Sequence, residues 1–397
     1  MHVDFTPEQQ ELRQRIRDYY RELFTPELRA AFDAELEQMG GPVFRELVSR
    51  MGKDGWLGIG WPKEYGGQGA TPIEQFIFWD ETYRARAPLH IVPVNTIGPA
   101  IMAHGSEEQK QELLPKILSG DLFFGVGYTE PSAGTDLASL QTRAVRDGDE
   151  WVINGQKIFT TFAHVADFIW LAARTDPDAP KHAGISIILV PTDAEGFSVT
   201  PIHTLGRERT NATYYQDVRV PVGNTIGPEN GGWTLITSQL NHERISLAIP
   251  GHCENMMEQV WQHAAQTPCP GGGRMLDQQW VQLNLARVYA KLRALQVLNW
   301  RSAWSMTEGH PNMAEASALK VMGSEFFIEA YNLLLEITGA AGIVMENQPG
   351  CLFGGLLETA YRGATTFTFG GGVNEVQRDI IAGAGLGMPR GRARARK

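Results

Sequence analysis

Three stretches of this 397-residue sequence carry side chains that could do chemistry. The first, Tyr128-Thr-Glu-Pro-Ser-Ala-Gly-Thr-Asp136, sets small residues beside hydroxyls where an apolar run ends. Small residues let a backbone approach a flat or phosphorylated ligand, and Thr129 and Thr135 can donate hydrogen bonds to it. The same composition also makes an ordinary tight turn. The second stretch, Asn154-Gly-Gln-Lys-Ile-Phe-Thr-Thr161, opens on a hairpin signal and continues as a strand. The period of two puts Phe159 and Thr161 on one face. Ring and hydroxyl could there stack on and bond a planar group, or Phe159 could simply pack in the core. The third is Leu240-Asn-His-Glu-Arg-Ile-Ser-Leu247. Ile236, Leu240, Glu243 and Leu247 fall at i, i+4, i+7 and i+11, one stripe of a helix. A carboxylate on an apolar stripe is costly unless it is paired or performs a task. Partial desolvation would raise its pKa toward that of a general base. The alternative is a pairing with His242 or Arg244 that only stabilises the helix.

These segments need a framework to hold them. Thr6-Pro7-Glu8 is a helix-start signature, and further helices are expected near 42–53, 72–83 and 107–119, so residues 1–121 read as a helical N-terminal domain. A glycine-dense, aromatic loop follows Gly55. Short runs rich in Val, Ile, Phe, Tyr and Thr then occur at 122–128, 142–146, 151–161, 168–174, 184–190 and 213–220. With turns but no helices between them, they predict an antiparallel β-barrel or sheet over 122–232. Helical periodicity returns at 233–248, 275–306, 312–338 and 374–384, a four-helix bundle over 233–390. The basic segment 391–397 reads as a solvated tail.

Composition narrows the class. The formal net charge of −10 and the pI near 5.5 offer no general attraction to nucleic acid or to an anionic membrane. A mean hydropathy of −0.23 and the lack of any apolar run of about 18 residues give no membrane span. Cys253, Cys269 and Cys351 are too few and too scattered for a disulfide framework or a zinc site. The first residues show no signal peptide. A reduced, cytoplasmic, multi-domain protein is expected, with no metal.

Taken together, Thr-Glu-Pro-x-Ala-Gly-Thr-Asp, Asn-Gly-Gln-Lys-x-aromatic-x-Thr and the late Asn374-Glu-Val-Gln-Arg-Asp379 resemble the acyl-CoA dehydrogenase family, a match running from Gly55 to about Arg390. The resemblance implies the same three-part architecture: helical domain, central β-barrel, C-terminal four-helix bundle. It also implies FAD as cofactor, with Tyr128, Thr129, Thr135 and Asn374 in its site, Phe159 against the flavin ring and Thr161 near flavin N5. The reaction implied is α,β-dehydrogenation of an acyl-CoA thioester, one hydrogen leaving as a proton to a carboxylate and the other as hydride to the flavin.

Two departures from the family pattern sharpen the reading. Counting back from Gln377-Arg378 puts Gly371 where many members carry the catalytic glutamate. The second place known for that base, on the first helix of the C-terminal domain before an arginine, aligns with Glu243 and Arg244. The Gly371 N–H would still be able to donate to the thioester carbonyl, and the missing side chain would open the pocket to a bulky acyl group. In addition, 267–274 lacks the Arg-x-x-Phe-Gly segment that grips a neighbour's flavin, and Glu336 stands where a glutamine is usual. The pattern is similar to actinobacterial sterol side-chain dehydrogenase subunits that form α2β2 heterotetramers. It implies a related subunit as partner, otherwise a homotetramer, and an electron-transfer flavoprotein as acceptor. The competing readings are an oxidase or monooxygenase on the same fold, and a non-catalytic partner subunit.

Overall fold

The computed structural model describes residues 4–35, 39–246, 248–310, 312–346 and 348–389, and the side chains of 240–246 also lie outside the described residues. The chain begins with helices α1 (Pro7–Leu23), α2 (Pro26–Ala34), α3 (Pro42–Lys53), α4 (Pro72–Arg84), α5 (Gly98–His104) and α6 (Glu107–Leu118). Strands β1 (Phe124–Gly127), β2 (Arg143–Asp147), β3 (Glu150–Lys157), β4 (Phe168–Arg174), β5 (Ile185–Pro191), β6 (Phe197–His203), β7 (Arg209–Pro221) and β8 (Thr225–Ile226) follow. Helices α7 (Gly232–Ser246), α8 (Gly251–Gln266), α9 (Gln279–Thr307), α10 (Met313–Gly342), α11 (Leu356–Ala364) and α12 (Asn374–Ile380) complete it.

Local chemistry sets the helix starts. Thr6 and Gln9 cap α1 reciprocally, at 3.3 and 3.0 Å, just ahead of Pro7. Thr71 with Glu74 and Ser106 with Gln109 do the same for α4 and α6.

The chain divides into two compact units, one of 1–23, 71–87 and 244–397, the other of 24–70 and 88–243. In the first, α1 and α4 join the C-terminal helices through charge. Glu81 of α4, almost fully buried, takes Arg13 at 2.5 Å and Arg17 at 2.8 Å from α1, while Arg84 takes Glu254 and Glu258 of α8. Such a network has to be complete, because breaking a buried pair leaves an uncompensated charge. The core of this unit is apolar, with Cys253, Met256 and Val260 of α8 against Leu292 and Leu295 of α9 and Leu334 of α10. Helices α8 and α11 are additions to the expected bundle. The α8 stripe of Cys253, Met256, Val260 and Ala264 falls at i, i+3, i+7 and i+11, a helical spacing that the expected bundle leaves out.

The second unit is built on one eight-stranded sheet with order β6-β7-β3-β2-β4-β5-β8, β1 pairing with β4. The fold class expected from the sequence holds, with two differences in the sheet. Its strand order is an open path rather than a closed barrel, and β1–β4 and β2–β4 pair parallel while the other pairs are antiparallel. Trp151, Ile153, Ile169 and Val218 fill its core. Asn154-Gly155 is not a hairpin turn. It lies inside β3 at a β-bulge against β7, where a Cβ on Gly155 would stand 2.4 Å from Thr142 Oγ1. The β2–β3 turn is Gly148-Asp149, between the paired residues Asp147 and Glu150. The basic segment 391–397 lies outside the described residues.

Candidate active site

Two of the three chemical stretches meet at the end of the sheet, and a buried ion pair joins them. Lys157, fully buried at the end of β3, donates to Glu130 Oε1 at 2.8 Å and to the Tyr128 carbonyl at 3.1 Å. Glu130 also accepts from the backbone N–H groups of Gln141 and Thr142 at 2.7 and 2.8 Å. Burial pushes the Lys157 ammonium down to about 8 against the pull of Glu130. Burial would raise the Glu130 carboxyl, but Lys157 and the two N–H donors take it below its ordinary value. The Ile158 N–H donates to the Thr129 carbonyl at 2.8 Å, which holds the two motifs side by side. Neither Glu130 nor Lys157 was singled out from sequence as a site residue, although both lie inside the motifs.

Beyond Lys157 the strand stops. Phe159 takes a left-handed conformation at φ 60°, so its position on a strand face is corrected to a position on a strand-end loop. The loop keeps an in-out alternation all the same. Phe159, 58% exposed, and Thr161 flank the fully buried Thr160. Asn211 of β7 sustains that shape: its backbone carbonyl accepts from Thr160 N–H at 2.9 Å and its amide donates to the Thr160 carbonyl at 3.0 Å. Thr161 Oγ1 lies 3.3 Å from Thr210 Oγ1. Asn211 is a lone asparagine in a strand, and nothing in the sequence marks it. A left-handed phenylalanine held exposed by buried amide bonds is an outlier that points to a site.

Of the remaining residues of the first motif, Thr129 is half-buried and Thr135 exposed. A Cβ on Gly134 would meet nothing closer than Thr129 Cγ2 at 3.9 Å, so the backbone there is open to a ligand. Tyr128 is buried and its hydroxyl is engaged inside the protein, donating to Gln239 Oε1 of α7 and accepting from Trp170 Nε1 at 3.0 Å.

In the other unit, Asn374 opens α12 with both ends of its amide hydrogen-bonded within the bundle. Its oxygen accepts from Lys320 Nζ at 2.8 Å and Ser324 Oγ at 3.3 Å, and its nitrogen donates to Ser324 Oγ and Glu325 at 3.0 and 3.2 Å. Lys320, fully buried on α10, also donates to the Gly372 carbonyl at 2.8 Å, which ties down the glycine run. Gly371 has φ 65° and Gly372 φ 98°. No carboxylate occupies position 371.

Glu243 and Arg244 fall on α7 by backbone, and their side chains lie outside the described residues. The described part of that helix buries Leu235, Ile236 and Gln239. Position 243 comes one turn after Gln239.

Two residues in the stretches that depart from the family pattern are hydrogen-bonded within the chain. Arg274 is held by Asp277 at 2.8 Å, and Glu336 accepts from Asn284 at 2.9 Å.

Comparison with known proteins places these features in a family. The N-terminal, middle and C-terminal domain models of acyl-CoA dehydrogenase match residues 6–121, 125–218 and 230–386. Acyl-CoA dehydrogenase FadE26 of Mycobacterium tuberculosis is 51% identical over 98% of this chain and 99% of its own length. Among solved structures, the ChsE4-ChsE5 complex from Mycobacterium tuberculosis contains a chain 51% identical, with a TM-score of 0.93 over 98% of this chain and 100% of that one. The Tcur3481-Tcur3483 steroid ACAD contains one 52% identical, with a TM-score of 0.92 over 98% and 100%. The chain spans nearly the whole length of these relatives, and it belongs to the acyl-CoA dehydrogenase family.

Proposed function

We propose that this chain is the base-bearing subunit of a heteromeric FAD-dependent dehydrogenase that introduces an α,β double bond into a bulky, steroid side-chain acyl-CoA, with Glu243 as the base. The dehydrogenase class follows from the family, and the finer reading rests on one observation. The position usual for the base holds a left-handed glycine, while α7 brings a glutamate one turn beyond a buried, hydrogen-bonded Gln239. The steroid substrate and the heteromer are supported by the relatives named above, one a steroid ACAD and one a two-protein complex.

The residues present fit FAD. An exposed ring at Phe159, the exposed residues Thr135 and Thr161, and the open backbone at Gly134 match a flat ring system joined to a pyrophosphate. FAD supplies the two-electron acceptor for the β-hydrogen. The chain's own residues do the rest. Phe159 and Thr161 would hold the ring system, and Thr129 and Thr135 would bond the phosphate-bearing part. Glu243 removes the α-proton from the opposite side of the acyl chain, with Arg244 positioning the carboxylate or the thioester. A glycine at 371 leaves room for a wide acyl group and keeps an N–H for the carbonyl oxygen, where negative charge develops.

A related subunit completes the site in this reading. The departure of 267–274 from the family pattern and the glutamate at 336, which bonds Asn284 within the chain, support it, and so does the outer face of α9, where Trp280, Leu283, Val297 and Trp304 are exposed. An electron-transfer flavoprotein serves as acceptor. The second reading, a non-catalytic partner subunit, is favoured by Gly371 alone. Glu243→Gln separates the two. Turnover of the assembled enzyme should drop by at least about 100-fold with flavin content unchanged, and unchanged turnover rules out Glu243 as the base.

A further inference from the structure

We propose that Tyr128 is a positioning residue for the base on α7 and makes no side-chain contact with the cofactor. The proposal rests on the reading of Glu243 as the base. Tyr128 follows β1 and is held at both ends: Lys157 donates to its backbone carbonyl at 3.1 Å, and its hydroxyl lies between Trp170 Nε1, at 3.0 Å, and Gln239 Oε1. All three side chains are buried, Trp170 fully and Gln239 to 4% exposure. The hydroxyl therefore uses its one proton on α7 and an acceptor position on β4.

The consequence lies in the helix register. Leu235 and Ile236 anchor α7 by apolar contact, which constrains distance more than rotation. A hydrogen bond to Gln239 is directional, and it fixes the rotation and height of the turn from which residue 243 follows, about 6 Å along the axis. A base misplaced by about 1 Å can lose about 100-fold in rate. The same tyrosine links β1 to the Thr129–Thr135 segment, so the cofactor-side backbone and the helix of the base share one fixed point.

The test uses Tyr128→Phe, Gln239→Met and the double variant in the purified dehydrogenase assembly. The substrate is a steroid side-chain acyl-CoA, with and without deuterium at the α-carbon. Phenylalanine keeps the ring and leaves Gln239 and Trp170 unpaired. We expect each single variant to lose about 10- to 100-fold in kcat with flavin per chain unchanged. The α-deuterium isotope effect should rise as proton removal becomes rate-limiting, and the double variant should be no slower than the slower single. A fall in the fraction of folded enzyme would lower kcat without moving the isotope effect, and that result overturns the proposal. So does loss of flavin from Tyr128→Phe, which would make Tyr128 a cofactor residue. Glu243→Gln is measured alongside. If it is inactive while Tyr128→Phe keeps the wild-type rate and isotope effect, the positioning role fails alone; if it is fully active, the base assignment fails and takes the positioning role with it.

Discussion

Lys157 carries a charge into a site from which water is excluded and meets Glu130 there at 2.8 Å. Such a pair contributes little net stability when intact, but removing one partner typically costs about 3–5 kcal/mol, because the other is left charged and dry. Lys157→Met should therefore lower the melting temperature sharply. Since the pair also holds the Thr129 and Ile158 backbones together, flavin content should fall with it. Retention of full flavin absorbance in that variant would show that the two motifs stay aligned without the ion pair. At position 371 the backbone matters as much as the missing side chain. With φ at 65°, any Cβ there is strained, so Gly371→Ala must accompany Gly371→Glu as a control. Relative to that control, Gly371→Glu should slow a bulky acyl-CoA more than a short linear one, and equal slowing of both would count against a widened pocket.

Helix α4 shows what a sequence pattern conceals at the level of an element. Its Asp80, buried at 5% exposure, has an Oδ1 with no hydrogen bond among the described residues. Burial first, then Glu81 and Glu254, push its carboxyl from 3.8 up to about 7. Between those values the folded chain keeps a proton that the unfolded chain has lost. Asp80 thus makes stability fall as pH rises from about 4 to about 7, by at most about 1.4 kcal/mol per unit. Above pH 7 that loss is complete. Asp80→Asn removes this contribution, so its melting temperature should exceed the wild-type value by a margin that grows from pH 4 to pH 7 and then stays level. A margin independent of pH would mean that Asp80 does not titrate in that range. Helix α7 presents the opposite case: the spacing of Ile236 and Glu243 was legible, and the buried link from Gln239 to Tyr128 was not.

For the whole molecule the decisive measurement is the visible spectrum and solution mass of the chain purified alone. The proposal expects a weakly flavinylated species smaller than a tetramer. Adding the related subunit should bring a full flavin spectrum and an α2β2 mass. A yellow homotetramer with one flavin per chain would instead mean that the site is complete without a partner. The exposed Trp280 and Trp304 on α9 bear on the same question. In the proposed heteromer a partner surface covers them.

Sequence alone settled the order of helical, β and helical segments, because periods of 3.6 and 2 and the helix start at Thr6-Pro7 are local properties. It also located the Thr129–Thr135 and Phe159–Thr161 segments, the glycine at 371 and the carboxylate at 243, since family motifs preserve spacing along the chain. Tertiary structure decided what the residues of the first two segments touch. At the bulge, Thr142 leaves no room for a Cβ on Gly155, and the left-handed turn at Phe159 is followed by Thr160, which Asn211 holds from a distant strand. Tyr128, which the family resemblance puts in the cofactor site, is bonded through its hydroxyl to Trp170 of β4 and Gln239 of α7, 42 and 111 residues further along the chain. A hydrogen bond between residues so far apart depends on how elements pack, and no local pattern encodes that packing.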